Sequence, residues 1–239
     1  MSLPFSGRSF VVTGAAGNLG GLVTGLLLAR GAHVVGVVRK IAEAGPLAGL
    51  DAEAAARYRA HVTELSDEAG VAAAFDLAAS LAPLWGLVNA AGAWDGGKSV
   101  TEAPLSSFEK MVDANLRSAF VTGREALKRM APAGGGRIVF VSAFIAQSGV
   151  GGGGNAAYAA SKAGVIALAR ALSEEGHKRG VRANCIAPGT MLTAAGAAAL
   201  PAGDKTKWLP MEQAAEAILL LCTVEPLAVD GAVLTLPAR

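Results

Sequence analysis

Ser9-Phe10-Val11-Val12-Thr13-Gly14-Ala15-Ala16-Gly17-Asn18-Leu19-Gly20 decides how the rest of the chain is read. Five residues of apolar, β-branched character run without a polar break into a turn with three glycines, and an apolar helical pattern follows from Asn18 to Arg30. A continuous apolar run predicts a strand covered on both faces, which is the situation in a parallel sheet. Glycines between such a strand and a helix permit a tight turn. They also let backbone N–H groups approach a pyrophosphate at the helix N-terminus. The turn alone is weak evidence, but its place after a first strand and before a helix is the context that dinucleotide binding requires.

Outward from that stretch, the same alternation repeats to the end of the chain. Strands are expected at Val34–Val38, Arg57–Val62, Leu84–Asn89, Arg137–Ser142, Val181–Ile186 and Ala232–Leu236, in addition to Ser9–Thr13. Helices are expected at Asn18–Arg30, Asp67–Leu81, Ser107–Met130, Asn155–Gly176 and Pro210–Cys222. Ser106 followed by Glu109 reads as a capping box, and Pro210 suits the first turn of the last helix. Strands alternating with helices imply an α/β fold, a doubly wound parallel sheet of seven strands with helices on both faces. No linker interrupts the pattern, so residues 1–239 are read as one domain. Gly134–Gly136 and Gly151–Gly154 read first as a turn and a flexible loop.

Composition narrows the function. Of 239 residues, 52% are hydrophobic and only 17% charged, which excludes a disordered chain. The formal charge of +2 leaves no basic footprint for nucleic acid and no polybasic membrane anchor. Apolar runs are too short to span a bilayer. Cys185 and Cys222 lack the spacing of a disulfide framework or a metal site, and read as buried thiols in a reducing compartment. Met1–Phe5 shows no apolar stretch behind a basic start. A cytoplasmic protein without a metal is expected.

Two further places carry chemistry. The second strand ends in Val38-Arg39-Lys40, with no acid until Glu43. An acid there would bond the ribose hydroxyls of NAD, whereas a guanidinium can grip the 2′-phosphate of NADP. The bland alternative is a pair of solvated charges. Tyr158 and Lys162 lie four apart in Tyr-Ala-Ala-Ser-Lys, on one face of a helix. A nearby ammonium lowers a tyrosine pKa from about 10 toward working pH, although such pairs also occur on ordinary helices.

Taken together, these features resemble the short-chain dehydrogenase/reductase family over essentially the whole chain. The likeness is carried by the Thr13-Gly14 turn, Asn89-Ala90-Ala91-Gly92, Asn115 in Asp113-Ala114-Asn115-Leu116, Tyr158-Ala159-Ala160-Ser161-Lys162, and Pro188-Gly189-Thr190-Met191-Leu192-Thr193. The resemblance implies that Tyr158 gives or takes the substrate oxygen's proton while hydride moves to or from a nicotinamide. Lys162 would hold the nicotinamide ribose and depress the tyrosine pKa, and Asn115 would support a proton-relaying water. Cofactor contacts are implied at Gly14, Gly17, Asn18, Leu19, Gly20, Arg39, Val62, Asn89 and Ala90, and again at Pro188, Gly189, Met191 and Thr193. NADP(H) is expected over NAD, with a small, largely apolar carbonyl or alcohol as substrate. A homodimer or homotetramer is implied, with the tyrosine's helix joining the subunits.

The chain also departs from the family pattern. Asn18 stands where the middle glycine of the turn is usual, and His61 replaces an acid after the third strand. The serine that usually ends the fifth strand is out of register. Counting from Gly136 puts Ala143 in that slot, with Ser142 one place early and facing away unless the strand bulges. Ala91–Gly97 more faintly resembles dihydropteridine reductase. The alternatives are therefore a pterin-type or 3-oxoacyl reductase, or a dinucleotide-binding sensor without turnover. Trp94, Phe144 and Trp208 stand out as substrate walls or core aromatics, and Thr190–Lys207 as the segment covering the pocket.

Overall fold

The computed structural model describes residues 3–40, 43, 50–149, 151–193, 204–223 and 229–238. Seven strands form one sheet: β1 (Ser9–Thr13), β2 (His33–Val38), β3 (Tyr58–Val62), β4 (Leu84–Asn89), β5 (Gly136–Val141), β6 (Val181–Pro188) and β7 (Val233–Leu236). Their order is β3-β2-β1-β4-β5-β6-β7, and every pairing is parallel. The chain reverses direction across the sheet between β3 and β4. A crevice therefore opens beside the C-terminal ends of β1 and β4, where ligands of such sheets bind.

Strand parity sorts the core into two layers. Phe10, Val12, Val34, Val139 and Val141 pack under α1 (Asn18–Ala29) and α8 (Met211–Leu221). Val11, Val35, Ile138 and Phe140 face α3 (Glu68–Leu81), α5 (Ser118–Met130) and α7 (Ala156–Gly176). Close helix contacts use small residues: a Cβ on Gly123 would sit 2.7 Å from Leu172 and 3.0 Å from Phe140. Both cysteines are free and buried, and burial pushes each thiol up to about 12.

Several expectations need correction. Two short helices fall where none was read, α2 (Ala52–Ala56) and α6 (Phe144–Ser148). The expected capping box at Ser106 is not formed. Helix α4 (Leu105–Met111) starts earlier, after Pro104, with no side-chain cap. The long helix is also not uniform, because Val112–Arg117 between α4 and α5 winds as a π-helix. Pro210 precedes the first turn of α8 rather than lying within it.

Candidate active site

The Gly14–Gly20 turn is built for close backbone approach. Gly14 has φ +66°, and a Cβ there would meet the Ala91 backbone at 3.0 Å. A Cβ on Gly20 would lie 2.2 Å from the Gly14 carbonyl oxygen. Helices α2 and α3 are capped by Asp51 and Asp67 and carry a glutamate in the first turn. Helix α1 has neither a side-chain cap nor an acid there. An uncapped helix start behind a turn that admits no side chain at Gly14 and Gly20 fits the pyrophosphate of a dinucleotide. Asn18 begins the helix and Leu19 is buried, while Asn18 itself is exposed.

At the end of β4, Asn89 donates from Nδ2 to Thr122 Oγ1 (2.8 Å), and Thr13 Oγ1 accepts from the Ala91 amide (3.1 Å). The first ties the end of β4 to α5, and the second holds Ala91 against the end of β1. Beyond β6, the ladder reaches Pro188 opposite Leu236, and a Cβ on Gly189 would collide with Ala238. Met191 bridges to Leu209, so Thr190–Leu192 folds back toward Trp208 and Leu209. Thr193 is the last described residue before 194–203, and most of the expected pocket cover lies outside the described residues.

At β2, Arg39 and Lys40 are both exposed. The backbone N–H of Arg39 donates to Glu43 Oε2 at 3.3 Å, so an acid that is four residues away in sequence returns to the strand end. Val62 is 42% exposed at the end of β3. His61 faces α3, where its Nε2 lies 2.9 Å from the Gly70 carbonyl, and no metal-binding cluster exists among the described residues.

Tyr158 and Lys162 are carried by α7. Tyr158 is partly buried, and burial pushes its phenol up to about 12. Lys162 is buried, and desolvation brings its ammonium down to about 8. Its Nζ donates to the Val141 carbonyl at 2.8 Å. Desolvation is the cause of the raised phenol pKa at Tyr158, and Lys162 lies one helical turn further along α7.

Asn115 is also buried, in the π turn. Its Oδ1 accepts from Ala93 N (2.8 Å), and its Nδ2 donates to Ala93 O (3.0 Å) and Ser161 Oγ (3.0 Å). The side chain thus staples the long helix to the loop after β4 and to α7. Gly92 sits between these groups, since a Cβ there would be 2.8 Å from Asn115 Oδ1 and 3.0 Å from Lys162 Nζ.

Ser142 continues the parity of Ile138 and Phe140. Its amide donates to Ile186 O (2.8 Å) as a regular ladder bond. Its hydroxyl is buried and donates to the Lys162 carbonyl (2.8 Å). No bulge turns it round. An open groove of about 310 Å³ between α6 and α7, lined by Gln147, Ile166 and Arg170, includes none of these side chains.

The family model for short chain dehydrogenase matches residues 8–202. The chain belongs to the short-chain dehydrogenases. It is an oxidoreductase of that family, whose members use NAD(P). It is 38% identical to the 2-dehydro-3-deoxy-L-rhamnonate dehydrogenase (NAD(+)) of Sphingomonas sp. (strain SKA58), over 78% of this chain and 73% of that protein. It is 33% identical to the cis-4-hydroxycyclohexanecarboxylate dehydrogenase of Sinomonas cyclohexanicum, covering 98% and 96% of the two chains. A short-chain type dehydrogenase/reductase from Mycobacterium ulcerans superposes with a TM-score of 0.89 at 25% identity, over 99% of this chain and 90% of that one. No helix among the described residues is long and apolar enough to cross a membrane.

Proposed function

We propose that this short-chain dehydrogenase reduces a small, largely apolar carbonyl compound, with Tyr158 as proton donor. The observation that carries this reading is the convergence of Lys162 and Asn115 beside Gly92, with Tyr158 one turn before Lys162 on α7 and the glycine turn after β1 joined to the same loop through Thr13. The nicotinamide cofactor, when bound, supplies the hydride that adds to the carbonyl carbon. Tyr158 gives its phenolic proton to the carbonyl oxygen. The same group would take the proton back when the reaction runs toward the carbonyl compound. Lys162 contributes a buried positive charge that stabilises the phenolate formed, and Asn115 holds the loop after β4 against α7. Ser142 has no part in the proton transfer. Gly14–Gly20, Asn89, Ala90, Pro188, Gly189, Met191 and Thr193 would hold the cofactor, with Lys162 at the nicotinamide ribose.

The test is loss of NADPH absorbance with a panel of carbonyl compounds that includes dihydropteridines and 3-oxoacyl thioesters, the alternatives within the same chemistry. Tyr158→Phe should lower turnover by roughly 10² or more without weakening cofactor binding. Ser142→Ala should stay within about tenfold of wild type. Near-normal turnover in Tyr158→Phe would overturn the mechanism, and tight cofactor binding with no turnover of any compound would favour a sensor.

Arg39 and Lys40 favour NADP, because two exposed cations at the end of β2 suit a 2′-phosphate. The Glu43 carboxylate at the Arg39 amide favours the second reading, NAD. Titration separates them. If NADP is preferred, Arg39→Asp narrows the preference by about tenfold, the scale of one charge-assisted contact. If NAD is preferred, Glu43→Gln weakens NAD and leaves NADP unchanged. We assign the enzyme to the cytoplasm, where its two thiols stay reduced.

A further inference from the structure

Asn155 occupies the N-cap position of α7 but makes no cap with its side chain. Asparagine is among the preferred capping residues, so this use of its amide is unusual. Its Oδ1 accepts instead from the Trp94 indole N–H at 2.9 Å. Its Nδ2 donates to the carbonyls of Gly151 and Gly153, each at 3.2 Å. A second bond, Gly97 N to Gly154 O at 2.8 Å, joins the same two segments. Gly96 admits no side chain here, because a Cβ would lie 2.2 Å from Asn155 Oδ1 and 3.0 Å from the Trp94 ring.

Trp94 is nevertheless 50% exposed. A large apolar ring is thus held in one orientation by a hydrogen bond while much of its surface stays open. Both of its attachments lead to the reactive group. It follows Gly92 by two residues, and Gly92 abuts Lys162 Nζ and Asn115; Asn155 precedes Tyr158 by one helical turn. The glycines around it supply no side chains that would compete for the ring face.

We infer that Trp94, fixed by Asn155, is the specificity-determining wall of the substrate cleft, and that its open indole face selects carbonyl compounds bearing a flat or cyclic apolar body. The inference rests on the carbonyl-reducing function proposed above and names the substrate class of that same site. A rigid ring offers contact area with little conformational entropy to lose, and stacks best on another ring. A flexible linear chain gains less from the same surface.

The test compares cyclohexanone with 2-hexanone in the NADPH-loaded enzyme. Trp94→Phe keeps a ring and loses the N–H; Trp94→Ala loses both. Trp94→Ala should raise KM for cyclohexanone roughly tenfold and change that for 2-hexanone less than about twofold, the range expected for one aromatic contact. Trp94→Phe should retain most of the preference for the ring. In Trp94→Phe and in Asn155→Ala, amide hydrogen exchange over 149–155 should accelerate, because each removes the tether of a glycine-rich loop. A KM ratio that does not move in Trp94→Ala overturns the inference. Saturation-transfer NMR of cyclohexanone on the NADP-loaded protein reads ring binding without turnover. Binding lost in Trp94→Ala supports the wall even if no carbonyl is reduced, a result that would count against the reductase alone. Equal binding in both proteins overturns the wall.

Discussion

Lys162 carries a conflict between stability and chemistry. Its side chain is buried with a depressed pKa near 8, against 10.5 for a free lysine. Keeping it charged at neutral pH costs about 3 kcal/mol at the scale of 1.4 kcal/mol per pKa unit. The bond to Val141 O, worth about 1 kcal/mol, is the part a replacement forfeits. Lys162→Met should therefore raise stability by about 2 kcal/mol while removing turnover. The pH dependence gives the sign. Between about pH 8 and 10.5 the unfolded lysine binds more protons than the folded one, so this group's penalty is full below pH 8 and relieved as pH rises. Denaturant melts of both proteins at pH 7 and pH 10 should show the advantage of the methionine variant shrinking at the higher pH. A variant less stable than wild type at pH 7 contradicts the argument. The reductive rate should also decline above about pH 8, as the positive charge beside the phenolate is lost.

Among the elements, the glycine turn is the least tolerant. Gly20→Ala puts a methyl 2.2 Å from the Gly14 carbonyl, a contact that only backbone movement relieves. We expect at least about tenfold weaker cofactor binding and about 1–3 kcal/mol less stability. Fluorescence titration and melting check the two effects, and a variant with unchanged affinity would show that the turn can shift freely. This turn was fully legible in the sequence, because glycine spacing records backbone requirements directly. So were β1, β2, β4, β5 and β6, since burial on both faces leaves a continuous apolar signature, while the edge strands β3 and β7 are more open and β3 mixes Arg59 and His61 into its run. Helix α2, with Ala52 to Ala56, and α6, with Phe144 to Ser148, were not legible, as five residues are too few to show a helical period. The π turn around Asn115 carries no compositional mark at all. Asn155 opens the expected helix Asn155–Gly176, and only the fold shows its amide turned toward Trp94 and the glycine loop. The Glu43 contact at Arg39 was hidden for the same reason, because a side chain folding back leaves no periodic trace.

At the scale of the molecule, Phe108 and Phe120 remain about half exposed on α4 and α5. Large aromatics on open helices are more often covered in an assembly. Sedimentation should report two or four times the 23.8 kDa chain mass, and Phe120→Glu should shift the population toward the smaller species. A monomer at micromolar concentration would refute the oligomeric expectation. The order of the sheet bears on something else, the birth of the protein. Strand β1 leaves the ribosome before both of its neighbours and ends up between β2 and β4, and its partner on the second side begins only at Leu84. Until Leu84–Asn89 emerges, the apolar β1 has one edge with no native neighbour, and it waits through the synthesis of three helices and two strands. Closing so distant a pair is slow, and an open apolar edge invites wrong partners in the interval. The nascent chain is thus most vulnerable to aggregation before β4 arrives. A ribosome stalled just short of Leu84 would display a strand ready to pair with whatever meets it.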